Sequence, residues 1–327
     1  MNQIVNINQK NPITGPARFD TSILAGTKSP NTIEQYRMHF ASYCDFAGTF
    51  DTATDPATLA QWRRHLFETG YTAPSGEARD YSVNAINQRL AAIRGVMAEA
   101  AQQGYIEHST AERFKAVKGL KQAAAKDRRN AHARTKISRE DMQRIIDAPD
   151  ITTPAGMMHR SLLLTLATSG VRISEAVTLK LSQIEWYTDE DGESGWVIYV
   201  AGKNQVEEKP RALGTKARIA IDEWLKTRAA LGIRSEYIFT GFSGRGSRNP
   251  SDKPISRQAA WQTVQRYAKA LDLAHIKPHD FRRYVGTQLA SKDIRLAQNQ
   301  LGHKRIETTA QNYILDSVKV GVTDDLV

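Results

Sequence analysis

The sequence predicts a mainly helical protein with one small antiparallel β-sheet, divided into two domains. Three observations predict it. Apolar residues recur at helical spacing in the first third and again in the last. A single strand-like hairpin interrupts the second half. Between the halves lies a basic stretch almost without large apolar side chains.

A length of 327 residues is enough for two domains that each bury a core. Hydrophobic residues at 40% and charged ones at 24% give a globular rather than a disordered balance. The net charge of +10 and pI near 9.6 favour a polyanionic partner without identifying it, since many plain enzymes are as basic. Cys44 is the only cysteine, which excludes an internal disulfide or a cysteine-based zinc site, and its apolar setting suits a small buried hydrophobe. The N-terminus lacks a basic region followed by an apolar one, and the apolar run from Leu162 to Thr168 is too short to cross a bilayer. The expectation is a cytosolic protein with no membrane partner.

The elements follow in order. Residues 1–27 read as a loose tail carrying Pro12, Gly15, Pro16 and Gly26. Residues 28–120 read as a helical bundle. Its first helix carries Ile33, Tyr36, Phe40, Tyr43 and Phe46 on one face behind a Ser29–Pro30 start. Further helices read over Pro56–Thr69, over Ser82–Gln103 with a stop at Gly104, and from about Thr110 to Val117. Residues 121–136 form a basic linker. From Lys115 to Lys136 eight Lys and Arg face one acid, Asp127, so this segment suits either solvent or a row of phosphates.

Residues 137–327 form the second domain. Ser138 and Asp141 resemble a capping box, and a leucine-rich helix stops at Gly170. "QIEWY", a polar "TDEDGESG" turn, "WVIYV" and "VEEKPRAL" read as strands joined by hairpins, and "TGFSGRGSRNPSDKP" reads as a loop. The remainder is helical to about Val318. Trp62, Trp224 and Trp261 lie on apolar helical stripes and are expected in the core.

Taken singly, Arg172, Lys203, His279, Arg282, His303 and Tyr313 have ordinary explanations as surface charges, caps or packed rings. Together they offer two guanidiniums, two imidazoles and an ammonium, with no acidic cluster spaced to hold Mg²⁺ or Zn²⁺. Such a group neutralises a phosphate with fixed protein charges. Arg172 follows a helix-ending glycine, where backbone N–H groups and a guanidinium converge on one anion. His279 and Arg282 share one face of a helical turn. Tyr313 would then attack phosphorus, splitting one displacement into two.

These residues stand in three boxes, "TSGVRISEAVTL", "PHDFRRYVGTQLA" and "LGHKRIETTAQNY", in that order with a lysine hairpin after the first. In this the chain resembles the tyrosine recombinases of the phage-integrase and Xer type over nearly its whole length. The resemblance implies a helical, SAM-like core-binding domain plus a mixed α+β catalytic domain, forming a C-shaped clamp. It implies that Tyr313 forms a 3′-phosphotyrosyl link, that Arg172 and Arg282 hold the non-bridging oxygens, and that Lys203 protonates the departing 5′ oxygen. His279 would assist proton transfer, His303 would hydrogen-bond the phosphate, and Glu175 would support the site. Neither metal nor ATP is needed, because a 5′ hydroxyl of the partner duplex reverses the ester.

Three departures from the family pattern stand out. Ten residues rather than nine lead from His303 to Tyr313, Arg283 stands where the family often has histidine, and the interval from Arg172 to Lys203 is long, making Lys209 the runner-up to Lys203. The implied partner is double-stranded DNA with inverted-repeat sites, bound by a homotetramer that exchanges C-terminal tails and passes through a Holliday junction, with or without accessory proteins. The implied setting is the nucleoid of a bacterium, or of the host of a phage or mobile element. A type IB topoisomerase, a hairpin telomere resolvase and a catalytically silent DNA-binding protein share the pattern. Candidate DNA contacts are Arg89, Arg94, Lys121, Lys126, Arg128, Arg129, Arg257, Gln258 and Arg266.

Overall fold

The computed structural model describes residues 19–73, 75–123, 125, 137–202, 207–243 and 249–313. The chain divides into two compact units, residues 1–133 and 134–327.

In the first unit, helices α1 (Pro30–Ala47), α2 (Phe50–Ala53), α3 (Pro56–Thr69), α4 (Val83–Gln102) and α5 (His108–Ala116) pack around one core. The starts are set by side-chain caps. Ser29, Thr49, Asp55 and Ser82 each accept a backbone N–H of the first turn, and Pro30 and Pro56 occupy first positions where no N–H is needed. On α4, Ile86, Leu90, Ile93 and Met97 recur at three- and four-residue steps and are fully buried. They meet Trp62 and Tyr43, whose rings lie 5.2 Å apart, while the Tyr43 hydroxyl donates to the Ala53 carbonyl at 3.0 Å. Cys44 is buried among them, and burial pushes its thiol up to about 12, leaving it unreactive. A two-residue ladder, β1 (Tyr71–Thr72) with β2 (Ala78–Arg79), joins α3 to α4; nothing in the short polar segment signals it.

The second unit is built on α7 (Pro154–Ser169), which follows α6 (Arg139–Asp147). Helix α7 is buried nearly all round, with Met158, Leu162, Leu163 and Leu166 inaccessible. After α8 (Ile173–Ala176) come β3 (Ile184–Thr188), β4 (Ser194–Ala201) and β5 (Glu208–Ala212), an antiparallel sheet in the order β3-β4-β5. Helix α9 (Thr215–Ala230) packs along α7, and its Trp224 ring is buried with Nε1–H donating to the Ile238 carbonyl at 2.9 Å. Helices α10 (Arg257–Ala270), α11 (Pro278–Ala290), α12 (Ile294–Leu301) and α13 (Ile306–Tyr313) complete the unit, with α11 against α7, α12 and α13.

Three expectations are corrected. Part of the segment read as a loose tail is built into the first unit: Thr21–Leu24 form a 3₁₀ helix capped by Asp20, and Phe19 and Leu24 are buried in its core. The segment read as a loop holds a hairpin, β6 (Thr240–Ser243) with β7 (Asn249–Pro254). Its turn-formers concealed it, but prolines on an edge strand still offer carbonyls, and Thr240 pairs with Pro254. Trp261 is 39% exposed, not core. The buried stripe of α10 is Ala260, Val264 and Ala268, and Trp261 falls one position beside it. Trp62 and Trp224 are buried as expected.

Trp224→Ala removes the largest side chain of this core and its hydrogen bond. It is expected to cost about 3–5 kcal/mol, read as a lowered urea midpoint for the second unit.

Candidate active site

The site assembles where two helices end. Helix α7 stops at Gly170 and α12 stops at Gly302, both in the left-handed conformation with φ of 67° and 65°, a state glycine reaches without strain. Arg282, on α11 and only 2% exposed, spans the two ends. Its Nη1 donates to the Gly170 carbonyl at 2.8 Å and its Nη2 to the Leu301 carbonyl at 2.5 Å. These carbonyls lie at the negative ends of their helices, where a cation is favoured.

Each helix end is followed at once by another charged or titratable group. Two residues past Gly170, Arg172 caps α8, and Glu175 binds it twice. Oε2 accepts the Arg172 backbone N–H at 2.8 Å and Oε1 accepts from Nη1 at 2.7 Å. Glu175 is nearly buried and Arg172 one-third exposed, so the carboxylate fixes the guanidinium from behind. One residue past Gly302, His303 Nε2 meets Nη2 of Arg282 at 3.3 Å, and Nδ1 meets the Thr309 hydroxyl at 2.9 Å. A guanidinium only donates, so Nε2 accepts and the ring proton is on Nδ1, given to Thr309. Burial lowers the His303 pKa to about 4, with Arg282, Arg172, Arg211 and His279 adding to it.

Tyr313 closes the site. Its ring stacks on His303, with centroids 5.5 Å apart and planes 17° from parallel. Thr309 and Tyr313 are four residues apart in α13, hence on one face, and both are buried. The ten-residue spacing therefore leaves hydroxyl and phenol in phase with the imidazole. Gly286 makes room, since a Cβ there would sit 2.5 Å from the Tyr313 ring and 2.8 Å from Leu301. His279 is exposed on the first turn of α11, one turn from Arg282. Its pKa is lowered by the protein around it and then by the Arg282 charge. Arg282 is lowered by burial and by Arg172, while the Tyr313 phenol favours its charged form.

The structure thus brings Arg172, Glu175, His279, Arg282, His303 and Tyr313 together. Lys203, Lys126, Arg128 and Arg129 lie outside the described residues. Lys209 is exposed on β5, with Glu207 at 3.9 Å, and Arg283 pairs with Asp280. Among the candidate DNA contacts, Lys121 and Arg266 are exposed, as are Arg257 and Gln258 on the first turn of α10, beside Trp261. Arg94 is turned onto the Val117 carbonyl, and Arg89 lies over the Tyr81 ring while donating to Ala85, so both make internal contacts. Among the described residues no three His, Cys, Asp or Glu side chains are grouped to hold a metal ion, and no helix is long and apolar enough to cross a membrane.

Sequence reasoning missed Arg211, Thr309 and Gly286. Usable signals existed for two of them: alternation along β5 puts Arg211 on the face that carries Lys209, and Thr309 lies one helical turn before Tyr313 in the same box.

The fold defined by these elements is that of solved integrases and Xer-type recombinases. A lambda integrase fragment, in a dimer bound to a COC′ core site, superposes with a TM-score of 0.62 at 15% identity, covering 92% of this chain and 96% of that one. XerH recombinase, in a post-cleavage complex with palindromic difH substrate, gives 0.61 at 21% identity over 86% and 74%. In sequence, the tyrosine recombinase XerD of Neisseria meningitidis is 30% identical over 180 residues, 54% of this chain and 56% of its own, so the match takes in little more than half of that relative. XerD of Listeria innocua is 25% identical over 86% of each chain. Residues 135–319, more than half of the chain, match the phage integrase family, and the chain belongs to that family.

The His303 environment carries a pH signature. Its folded pKa of about 4 lies below the ordinary 6.5, so on acidification the unfolded chain binds the proton first. The stabilising contribution is complete above about pH 6.5 and is lost as pH falls toward 4. His159, buried beside Tyr267 and also lowered to about 4, adds to the same window. Imidazole NMR is expected to show the His303 ring neutral at pH 5; titration of that ring near 6.5 would contradict the described contacts.

Proposed function

We propose that the chain is a site-specific DNA recombinase that cuts and rejoins strands through a covalent phosphotyrosine. The observation that carries this reading is the Tyr313 ring stacked on a neutral His303 that is itself bonded to the buried Arg282. Guanidiniums suit phosphate because their planar forks match its oxygens, and they hold their charge when partly buried. Arg172 and Arg282 would grip the non-bridging oxygens, with His303 beside them. The Tyr313 oxygen attacks phosphorus, the bond from phosphorus to the 5′ oxygen breaks, and the 3′ end remains on the protein. The phenolic proton leaves by way of His279, and Lys203 gives a proton to the departing 5′ oxygen. Attack by a 5′ hydroxyl of a second duplex reverses the step, forming a DNA ester and releasing the phenol.

On this reading residues 28–120 are the core-binding domain, the basic segment 121–136 runs along phosphates, and four protomers exchange strands through a Holliday junction, linked by their C-terminal tails. The preference over a small-molecule enzyme comes from the net charge of +10 and from three boxes that each bring a residue to one site, Arg172, Arg282 and the His303–Tyr313 pair.

The test is a library of nicked duplexes with randomised sequence around the nick, incubated with the protein and separated under denaturing conditions. Wild type is expected to give a covalent protein–DNA adduct whose selected sequences define the site, and Tyr313→Phe to give none. An adduct that persists in Tyr313→Phe removes the nucleophile. The lack of any adduct from wild type across the library removes the cleavage reading.

A further inference from the structure

Arg211 is a third guanidinium close to this site: it lines a cavity with His303, and its charge is opposed by that of Arg172. It lies on β5, opposite Ile198 of β4, and is 6% exposed. Its place is fixed by its neighbour: the Gln300 side chain accepts from the Ala212 N–H at 3.0 Å and donates to the Ala212 carbonyl at 2.9 Å and to the Ser169 carbonyl at 2.8 Å. Strand β5, the end of α7 and the last turn of α12 are thereby held together. The guanidinium lies close beside Gly302, where any Cβ would run into Nη2. Gly302 is thus required both for its left-handed backbone and for this approach.

A buried guanidinium is ordinarily satisfied by a carboxylate or by several carbonyls. Among the described residues Arg211 makes one such bond, from Nη1 to the Pro210 carbonyl at 2.9 Å, and no ion pair. Arg228 shows the contrast in the same unit. Equally buried, it donates to the carbonyls of Ser235, Tyr237 and Ile238. The charges nearest in effect to Arg211 are Glu175, which favours its cation, and Arg172, which opposes it; Glu175 is already engaged by Arg172. Arg211 also lines a cavity of about 430 Å³ with Lys209, His303 and Lys304, a wall with three cationic side chains and no acid.

We propose that Arg211 is a third phosphate-binding guanidinium, placed under Gly302 to meet the same anion as Arg172 and Arg282. The inference rests on the phosphate-binding reading of the pocket and adds a contact to it. It also accounts for the tolerance of so many like charges, because an anion shared among three forks offsets their mutual repulsion.

Two arms test it. The first needs no DNA. Inorganic phosphate, titrated at constant ionic strength, is expected to raise the melting midpoint of the wild type, and Arg211→Gln to bind it about tenfold or more weakly, the effect of one lost charge-assisted hydrogen bond. Without phosphate the variant is expected to melt at the same temperature or higher, since an ill-compensated buried charge has gone. Equal phosphate shifts in the two proteins overturn the proposal, whatever becomes of the cleavage reading. The second arm uses the nicked duplex selected by wild type. Arg211→Gln is expected to form adduct about 10²-fold more slowly on phosphate, and within tenfold of wild type when the scissile group is a methylphosphonate. An equal loss on both substrates marks a structural role and overturns the proposal, as does no loss on either. Arg211→Met, apolar and of similar reach, replaces the glutamine variant should that one fail to fold. If neither folds, the side chain is structural and the proposal falls.

Discussion

The site depends on one buried cation tying two helix ends. Arg282 donates to the carbonyls of Gly170 and Leu301, the C-terminal ends of α7 and α12, and those carbonyls would otherwise be unpaired. This contact settles two problems at once. A guanidinium at 2% exposure needs acceptors that do not neutralise it, and backbone carbonyls at the negative ends of helices supply them. The two helices need a fixed termination, because Arg172 and His303 spring from the turns just beyond. Displacing Arg282 would therefore move three functional groups rather than one.

The remaining geometry follows from the His303 ring. Its Nε2 is held by a group that can only donate, so its proton is committed to Nδ1 and Thr309. The ring plane is then set from α11 on one side and α13 on the other, and Tyr313, one turn beyond Thr309, stacks against it. The Tyr313 ring is given room by a glycine one helical turn after Arg282, at position 286. Phenol, imidazole and guanidinium are thus positioned by packing between three short helices rather than by hydrogen bonds among themselves alone.

Much of this was legible in the sequence. The four longer helices of the first unit, the β3-β4-β5 sheet and the grouping of Arg172, Arg282, His303 and Tyr313 all rest on local signals: periodicity, caps, and short boxes with fixed internal spacing. What escaped was long-range. Lys209 and Arg211 share a face by alternation, but nothing local says that this face meets the last turn of α12. Arg94 reads as a long polar side chain on a helix, yet it reaches Val117, beyond α5. Trp261 belongs to an apolar run, but which side of α10 is buried is settled by Ala260, Val264 and Ala268, small residues that carry little signal. The β6–β7 hairpin was hidden for the opposite reason, since glycine, serine and proline mark turns wherever they occur.

The pocket also bears on stability. Arg282, Arg211, His279 and His303 all have their pKa values moved down, each through burial first; neighbouring positive charge adds to the shift, and at Arg211 the Glu175 carboxylate opposes it. Every one of these shifts means the charged form is less favoured in the folded protein than in water. For the histidines this favours the neutral ring and costs nothing near neutral pH, whereas Arg282 and Arg211 stay charged and are a local source of instability that the rest of the second unit offsets, through the fully buried leucines of α7 and the Trp224 ring. Such an arrangement persists where the strain is used. An anion entering the pocket relieves repulsion that already exists, so the interaction free energy appears on binding without being spent on assembling the charges. Preorganisation of this kind favours whichever bound state carries the most negative charge. For a phosphate under attack that is the pentacoordinate state, where charge on the non-bridging oxygens peaks.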